Sequence, residues 1–239
     1  MLENNTNLFK NIGIIPARGG SKGIPQKNIV RLNGLPLINY TISAGLKSKY
    51  LSKVVVSSDD DKILKISKKA GADVLKRPAH LAKDSTHINE AITDVIENLS
   101  QNNENFDLAV VLQPTSPLRN FKHIDDAFEL LYNSKRTSLI SVYELGVFPN
   151  KCFTINEKGF LNGLVDNDKP FANRQDLPMT FMPNGAIYIF KIKDYIENNF
   201  SFPIKQIVPF IMSKSDSIDI DNYGDIDKVA EMLNKNEEK

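Results

Sequence analysis

A short apolar run that breaks into a basic, glycine-rich loop is the feature that most restricts the fold of this chain. Ile12, Ile14 and Ile15 are typical of a buried strand, and the loop that follows reads A-R-G-G-S-K-G-I-P-Q-K-N. Glycines let backbone N–H groups approach an anion closely, and basic side chains neutralise phosphate oxygens. The loop has neither the Walker pattern nor G-x-G-x-x-G. We predict a strand followed by a phosphate-holding loop, although composition alone fits an ordinary surface loop equally well.

Strands and helices alternate along much of the chain. Apolar runs typical of strands occupy residues 12–15, 54–56, 73–75, 108–112, 138–142, 186–190 and 207–212. Helical spacing occupies residues 35–46, 60–70, 88–96, 121–132 and 227–234. This order predicts βαβ units and a largely parallel sheet with helices on both faces, and Pro209 places the last strand at an edge.

Polar residues at the helix starts predict several caps. Pro36 suits the first turn of the first helix, and Asp59 is a candidate cap of the second. Ser85 or Thr86 is a candidate cap of the third. Asp225 suits the N-terminus of the last helix, where negative charge is favourable.

Composition excludes several classes of protein. The chain has 239 residues, of which 41% are hydrophobic and 25% charged, and this favours one α/β domain over residues 1–239. A net charge of +1 argues against a general grip on nucleic acid, and a single cysteine, Cys152, rules out an intrachain disulfide framework. No apolar run suggests a membrane span or a signal peptide. We expect a cytoplasmic protein with no membrane or nucleic-acid partner.

In parallel sheets, ligands bind beyond the carboxyl ends of the strands. The first loop, the S-S-D segment at residues 57–59 and the loop after Leu75 would meet there in one pocket. Arg77 follows that last strand and is either a pocket residue or an ordinary surface arginine. Gln113 follows another strand, and its amide either reads a base edge or only ties down the loop backbone.

The second chemically loaded stretch is S-I-D-I-D-N-Y-G-D-I-D, at residues 217–227. In an extended segment Asp219 and Asp221 point to the same face, where two carboxylates repel unless a cation lies between them. Mg²⁺ prefers one or two carboxylates together with waters and phosphate oxygens. The alternative is that these acids only begin a helix. We assign Asp225 to the helix, and Asp219 and Asp221 to Mg²⁺.

Several separated motifs, in order along nearly the whole chain, resemble the CMP-sialic acid synthetase (N-acylneuraminate cytidylyltransferase) family. They are A-R-G-G-S-K-G-I-P-x-K-N, V-V-S-S-D, R-P-A-x-L-A-x-D, L-Q-P-T-S-P-L-R, R-Q-x-L-P, P-N-G-A-I-Y and D-S-I-D-I-D. The resemblance implies a Rossmann-like three-layer α/β nucleotidyltransferase fold with a mostly parallel sheet. It also implies a homodimer joined through a projecting element, here residues 144–182, where the strand and helix pattern weakens.

The reaction implied by the resemblance is CTP plus a nine-carbon α-keto sugar acid giving the CMP-sugar and pyrophosphate, with Mg²⁺. The residues that match the family's nucleotide-binding set are Arg18, Gly19, Gly20, Ser21, Asn28, Arg77, Thr86 and Gln113. Those matching its sugar-binding set are Gln113, Lys151, Arg174 and Tyr188, of which Lys151 and Arg174 would reach the partner subunit's pocket. The predicted catalytic residues are Lys22, Lys27, Arg174 and Asp221, and the predicted metal ligands are Asp219 and Asp221.

The implied mechanism is in-line attack of the anomeric hydroxyl on the α-phosphorus of CTP. Lys22 and Lys27 would balance the charge of the departing pyrophosphate, and Asp221 or a metal-bound water would take the proton. One departure concerns the sugar, because Met182 stands where relatives specific for N-acetylneuraminate often carry a basic residue. Legionaminic and pseudaminic acids are therefore alternative substrates. KDO is another, and a nucleotide-binding regulatory module without turnover is a remote alternative.

Overall fold

The computed structural model describes residues 9–83, 85–145, 149–203 and 205–237. The strands are β1 Asn11–Pro16, β2 Arg31–Leu32, β3 Leu35–Pro36, β4 Lys53–Ser58, β5 Asp73–Lys76, β6 Leu108–Val111, β7 Ser138–Glu144, β8 Phe153–Ile155, β9 Leu161–Gly163, β10 Phe181–Lys191 and β11 Val208–Ile211. The α-helices are α1 Leu37–Lys47, α2 Asp61–Lys69, α3 Ile88–Gln101, α4 Phe121–Ser134, α5 Ile192–Glu197 and α6 Tyr223–Glu237.

Seven strands form the central sheet in the order β11-β7-β10-β6-β1-β4-β5. All neighbouring pairs are parallel except those of β10, which is antiparallel to both β6 and β7. The prediction of a mostly parallel sheet is confirmed, and β11 is the edge strand that Pro209 indicated. The carboxyl ends of β1, β4, β5 and β6 therefore lie along one edge of the sheet.

Helices cover both faces of this sheet because side chains alternate along its strands. On one face, α1, α2 and α4 pack against residues such as Ile15, Val56 and Val110. On the other, α3 and α5 pack against residues such as Ile14 and Val55. The protein is thus the three-layer α/β structure that the pattern predicted.

A third apolar cluster joins the two ends of the fold. Ile24 of the glycine-rich loop and Ile220 of the carboxylate stretch are both fully buried there, together with Val229 of α6. This packing brings the segment before α6 against the loop after β1.

Four details at the helix starts differ from the predictions. Asp60, not Asp59, caps α2 by accepting hydrogen bonds from the amides of Lys62 and Ile63. His87, not Ser85 or Thr86, caps α3, where its ring nitrogen accepts from Asn89 N and the Glu90 side chain accepts from His87 N.

Leu35 and Pro36 pair with β2 instead of lying in α1, so Pro36 precedes that helix. The last helix, α6, begins at Tyr223, four residues before the predicted start. In each case the helix lies where it was expected, and its first residues are set by a local hydrogen bond or strand pairing.

The predicted element, residues 144–182, carries two short antiparallel strands, β8 and β9, and short 3₁₀ turns, whereas its first and last residues belong to β7 and β10. Residues 146–148 of this element, and Asp84 of the R-P-A-x-L-A-x-D motif, lie outside the described residues. No helix in the described part of the chain has the length and apolar character required to cross a membrane.

Candidate nucleotide-binding site

A cavity of about 390 Å³, which we call the nucleotide cavity, opens beyond the carboxyl edge of the sheet. Its walls include residues that follow β1, β5 and β6 and residues from the carboxylate stretch. The predicted site residues that line it are Arg18, Gly20, Ser21, Lys27, Asn28, Arg77, Thr86, Gln113, Asp219 and Asp221. The first loop and the loop after Leu75 therefore share a pocket, as strand order predicted, and this pocket combines cationic side chains with two carboxylates. The S-S-D segment at residues 57–59 does not line it but hydrogen-bonds Gly19 and Arg77.

The glycine-rich loop is fastened at its base to the end of β4. Gly19 N donates to Asp59 Oδ1 over 2.9 Å, and a Cβ on Gly19 would lie 2.8 Å from the Cβ of Asp60. Asn28 spans the loop, since its Nδ2 donates to the Arg18 carbonyl over 2.8 Å. Asn28 thus has a clear role in shaping the loop and also borders the cavity.

The far end of the loop contacts the carboxylate stretch directly. Lys27 Nζ donates to the Ile220 carbonyl over 2.7 Å and lies 3.1 Å from Asp221 Oδ1. A Cβ on Gly23 would lie only 2.4 Å from the Asp221 carbonyl oxygen, so this close approach requires glycine. The predicted lysine and the predicted metal ligand are neighbours.

Asp219 is held by the loop after β6. Ile220 N donates to the Thr115 carbonyl over 2.9 Å, and the Thr115 side chain hydrogen-bonds Asp219. Surrounding protein atoms raise the pKa of Asp219, and the negative charge of Asp221 raises it further, although the side chain remains accessible through the cavity mouth.

The like-charged pair Asp219 and Asp221 indicates whether the site is suited to a cation. Two neighbouring carboxylates form a donor set that a hard divalent ion satisfies, with the remaining ligands coming from water and phosphate. In the described part of the chain, no three acidic, histidine or cysteine side chains converge on a point. The residues fit Mg²⁺ bound jointly with a nucleotide more closely than Mg²⁺ bound in a closed protein cage.

Arg77 is 5% exposed and forms part of the cavity wall. Its Nε donates to Ser57 Oγ over 3.1 Å and its Nη2 to the Ser57 carbonyl over 2.8 Å. Burial lowers the pKa of Arg77, and the charges of Asp59 and Asp94 oppose that shift. Arg77 follows β5, and its side chain is a buried cation hydrogen-bonded to β4, so the surface alternative is wrong.

Gln113 stands between the nucleotide cavity and a second compartment of about 300 Å³, and it lines both. We call this second space the apolar compartment. Its walls include Ile92, Val111, Ile140, Tyr188, Phe190, Tyr195 and Phe202. Tyr188, predicted to lie on the sugar side, stands in this compartment, where burial raises its pKa.

Besides Tyr188, four predicted residues lie outside the walls of the nucleotide cavity. Gly19 is at the base of its loop, and Lys22 is exposed on the same loop. Lys151 Nζ donates to the Ala172 carbonyl over 2.5 Å, and Arg174 is exposed. The fold does not bring Lys151 and Arg174 to the cavity of their own chain.

Three cavity residues with polar side chains were missing from the predicted set: Lys83, Thr115 and His87. Thr115 lies in a motif noted from the sequence, next to Gln113, and its position in that loop was the available signal. Lys83 and His87 gave none, since charged and histidine side chains are common in loops before helices.

The family model described as cytidylyltransferase matches residues 12–205, which include the glycine-rich loop and most of the sheet. The chain belongs to the cytidylyltransferase family. The resemblance found in the motifs is therefore confirmed at the level of the family.

Curated relatives of this cytidylyltransferase differ in the sugar acid in their names. This chain is 34% identical over 219 residues to the N-acylneuraminate cytidylyltransferase of Streptococcus agalactiae serotype III. The alignment covers 91% of this chain and 52% of that protein. This chain is also 34% identical over 232 residues to the CMP-N,N'-diacetyllegionaminic acid synthase of Legionella pneumophila, with 95% and 97% covered. The chain thus spans about half the length of the streptococcal relative.

The fold of this cytidylyltransferase is shared with a solved structure of CMP:2-keto-3-deoxy-manno-octonic acid synthetase complexed with CTP. The TM-score is 0.72 at 14% identity, and 95% of this chain and 99% of that chain are covered. At this identity the likeness supports the fold alone, and it confirms the predicted three-layer α/β architecture.

Proposed function

We propose that this cytidylyltransferase transfers CMP from CTP to a nine-carbon α-keto sugar acid and releases pyrophosphate. The observation that carries the proposal is the nucleotide cavity, where Arg18, Lys27 and Arg77 face the paired carboxylates Asp219 and Asp221 at the carboxyl edge of the sheet. Cations bind a triphosphate, and the carboxylates bind the cation that accompanies it. The family membership and the names of the relatives support the same reaction.

The proposed step makes one bond and breaks one. The anomeric oxygen bonds to the α-phosphorus, the bond from that phosphorus to the bridging oxygen breaks, and pyrophosphate leaves with the electron pair. Asp221 takes the hydroxyl proton, and Lys27 balances the charge that develops on the phosphates. Asp219 and Asp221 would hold Mg²⁺, which supplies charge stabilisation to the phosphates when bound.

The apolar compartment supports a sugar acid with acyl and deoxy groups. Its walls are largely aromatic and aliphatic, and Gln113 at its junction with the nucleotide cavity is one of its few polar groups. N-acyl and methyl groups bury well against such walls, whereas a fully hydroxylated chain would leave hydroxyls without partners. Diacetyllegionaminate and pseudaminate therefore stand beside N-acetylneuraminate as candidate substrates, and KDO fits less well.

The decisive test is pyrophosphate release with CTP and Mg²⁺ across N-acetylneuraminate, diacetyllegionaminate, pseudaminate and KDO. We expect release with at least one nine-carbon acid and none with KDO, while the Asp221→Asn variant serves as the matched control without turnover. Release with KDO alone would assign the eight-carbon substrate instead. No release from a folded protein that binds CTP would favour a regulatory nucleotide-binding module.

We also propose that two copies associate through residues 144–182. This element exposes apolar side chains that the chain itself does not cover, including Ile155, Phe160, Leu161, Leu164, Val165 and Phe171. An exposed apolar group of this size is typical of a protein interface. Such a dimer would give Lys151 and Arg174, which lie away from their own cavity, a route to the partner's sugar site. We also propose a cytoplasmic location, where CTP would be available.

A further inference from the structure

The largest of the fully buried side chains in the described structure is a cation. Arg119 ends the loop that begins at Gln113, and it is 1% exposed. None of the ion pairs among the described residues includes it, and its Nη1 has no hydrogen-bond partner there. A buried unpaired charge costs folding free energy that an apolar side chain of similar volume would not. Packing alone does not account for an arginine at this position.

Arg119 Nη2 contacts the backbone at Gln113. Arg119 Nη2 donates to the Gln113 carbonyl over 3.3 Å and to Thr41 Oγ1 over 2.8 Å. The Thr41 hydroxyl also donates to the Gln113 carbonyl, over 3.4 Å. Two fully enclosed donors, one from α1 and one from the end of the loop, therefore fix a single carbonyl oxygen.

Arg119 also reaches the strand that faces the Gln113 side chain. Its Nε donates to the Ala186 carbonyl over 3.4 Å. The preceding residue, Gly185, has φ +75°, and a Cβ there would lie 3.1 Å from Gln113 Oε1. One guanidinium thus sets both the backbone that carries the Gln113 amide and the strand segment against which that amide packs.

We propose that Arg119 is a positioning residue that holds the Gln113 amide at the junction of the nucleotide cavity and the apolar compartment. The amide sits between the two spaces only if the Gln113 backbone and the Gly185–Ala186 segment keep their relative places. The kinetic part of this inference rests on the proposed function, because Gln113 would then lie between nucleotide and sugar. The structural part does not depend on any reaction.

The test compares Arg119→Met, Arg119→Lys and Thr41→Val with Asn11→Ala as a matched control. Asn11 is also a buried hydrogen-bonding residue, with Nδ2 donating to the Tyr50 carbonyl and the Tyr132 hydroxyl, but it lies at the amino end of β1, away from the site. The first readout is the side-chain amide NMR signal of Gln113, identified by its loss in Gln113→Ala. The second is kcat/KM for the sugar acid found active in the panel.

We expect the Gln113 amide signal to shift or broaden in R119M, to recover partly in R119K, and to stay in place in N11A. We expect kcat/KM to fall about tenfold in R119M, the scale of losing one or two hydrogen bonds. R119M combined with Q113A should be no worse than the poorer single variant, because both act through one amide.

An unmoved Gln113 signal in folded R119M, or losses in R119M and Q113A that multiply, would overturn the inference. If R119M does not fold, T41V removes one donor to the same carbonyl and tests the same point. If the wild-type protein turns over no sugar acid, the proposed function fails, while the NMR arm still decides the role of Arg119.

Discussion

Gly23 has no side chain because the carbonyl of Asp221 occupies the place where one would be. Replacing Gly23 with alanine would put a Cβ 2.4 Å from that oxygen, and backbone yields less readily than a side chain. We expect Gly23→Ala to lower the free energy of unfolding by about 1–3 kcal/mol, as overpacking does. Chemical denaturation measures this directly.

Gly20→Ala is the matched control, since a Cβ on Gly20 meets nothing within 4 Å. It should leave the unfolding free energy close to that of the wild type. Equal losses in the two variants would mean that the loop, and not its contact with Asp221, carries the effect.

Asp221 combines two tasks in the proposed reaction, holding a cation and accepting a proton. Asp221→Asn keeps the shape and removes the charge, so we expect kcat to fall at least about a hundredfold at saturating Mg²⁺. The measurement is steady-state pyrophosphate release. Asp227→Asn, which removes an exposed charge of α6 outside the cavity wall, should retain turnover. Near-normal rates in D221N would remove Asp221 from the mechanism.

Side-chain chemistry at the strand ends was predictable from the sequence, because a parallel sheet gathers those ends at one edge. Arg77 and Gln113, which follow β5 and β6, illustrate this. The contacts of Arg119 were not predictable, since its hydrogen bonds join α1, the β6 loop and β10, and no local pattern records which carbonyls a distant side chain will reach.

The N-terminal cap of helix α4 includes a titratable side chain, that of His123. His123 Nδ1 accepts a hydrogen bond from Asn120 N, and burial lowers the pKa of His123 below its ordinary value of 6.5. The charge of Arg119 also lowers it, whereas Asp216 and Asp126 oppose the shift.

Between the lowered pKa of His123 and about 6.5, the unfolded chain binds more protons than the folded one. Stability should therefore fall as the pH drops through that window. His123→Gln keeps a side-chain acceptor at the same capping position and cannot titrate, so its melting temperature should fall less between pH 7 and pH 5.5. An equal fall in the melting temperatures of the wild type and of His123→Gln between pH 7 and pH 5.5 would contradict this.

The elements themselves were largely predictable, because strand and helix periodicities are local. The direction of β10 was not predictable. Whether the chain returns antiparallel or crosses over to run parallel after β7 depends on the intervening element, residues 144–182. The shift in strand register between Pro183 and Tyr188, a segment that includes Gly185, was also not predictable, because it does not change the hydrophobic periodicity of the sequence. The caps moved by a residue or two because several polar side chains compete at each helix start.

At the scale of the whole molecule, the exposed apolar side chains of residues 144–182 predict self-association. Phe160→Glu should give a monomer by analytical ultracentrifugation, because the substituted side chain is 66% exposed and would place a charge in the proposed interface. The monomer should still bind CTP but lose sugar turnover if Lys151 and Arg174 act in the partner.

Ile211→Glu is the control for an exposed apolar residue elsewhere, at the edge strand β11, where Ile211 is 59% exposed. It should leave the dimer intact. A wild-type protein that sediments as a monomer across the micromolar range would disprove the proposed association.

The contact between Lys27 and Asp221 joins residues 194 positions apart in the chain. During synthesis, the glycine-rich loop leaves the ribosome long before the carboxylate stretch that completes the site. Strands β1, β4 and β5 are synthesised early and can pair with one another. Strand β6 pairs with β1 on one side, but its other side is covered only after β10 has been synthesised. A nascent chain is therefore expected to bind nucleotide only in the last stage of translation, when the segment before α6 docks.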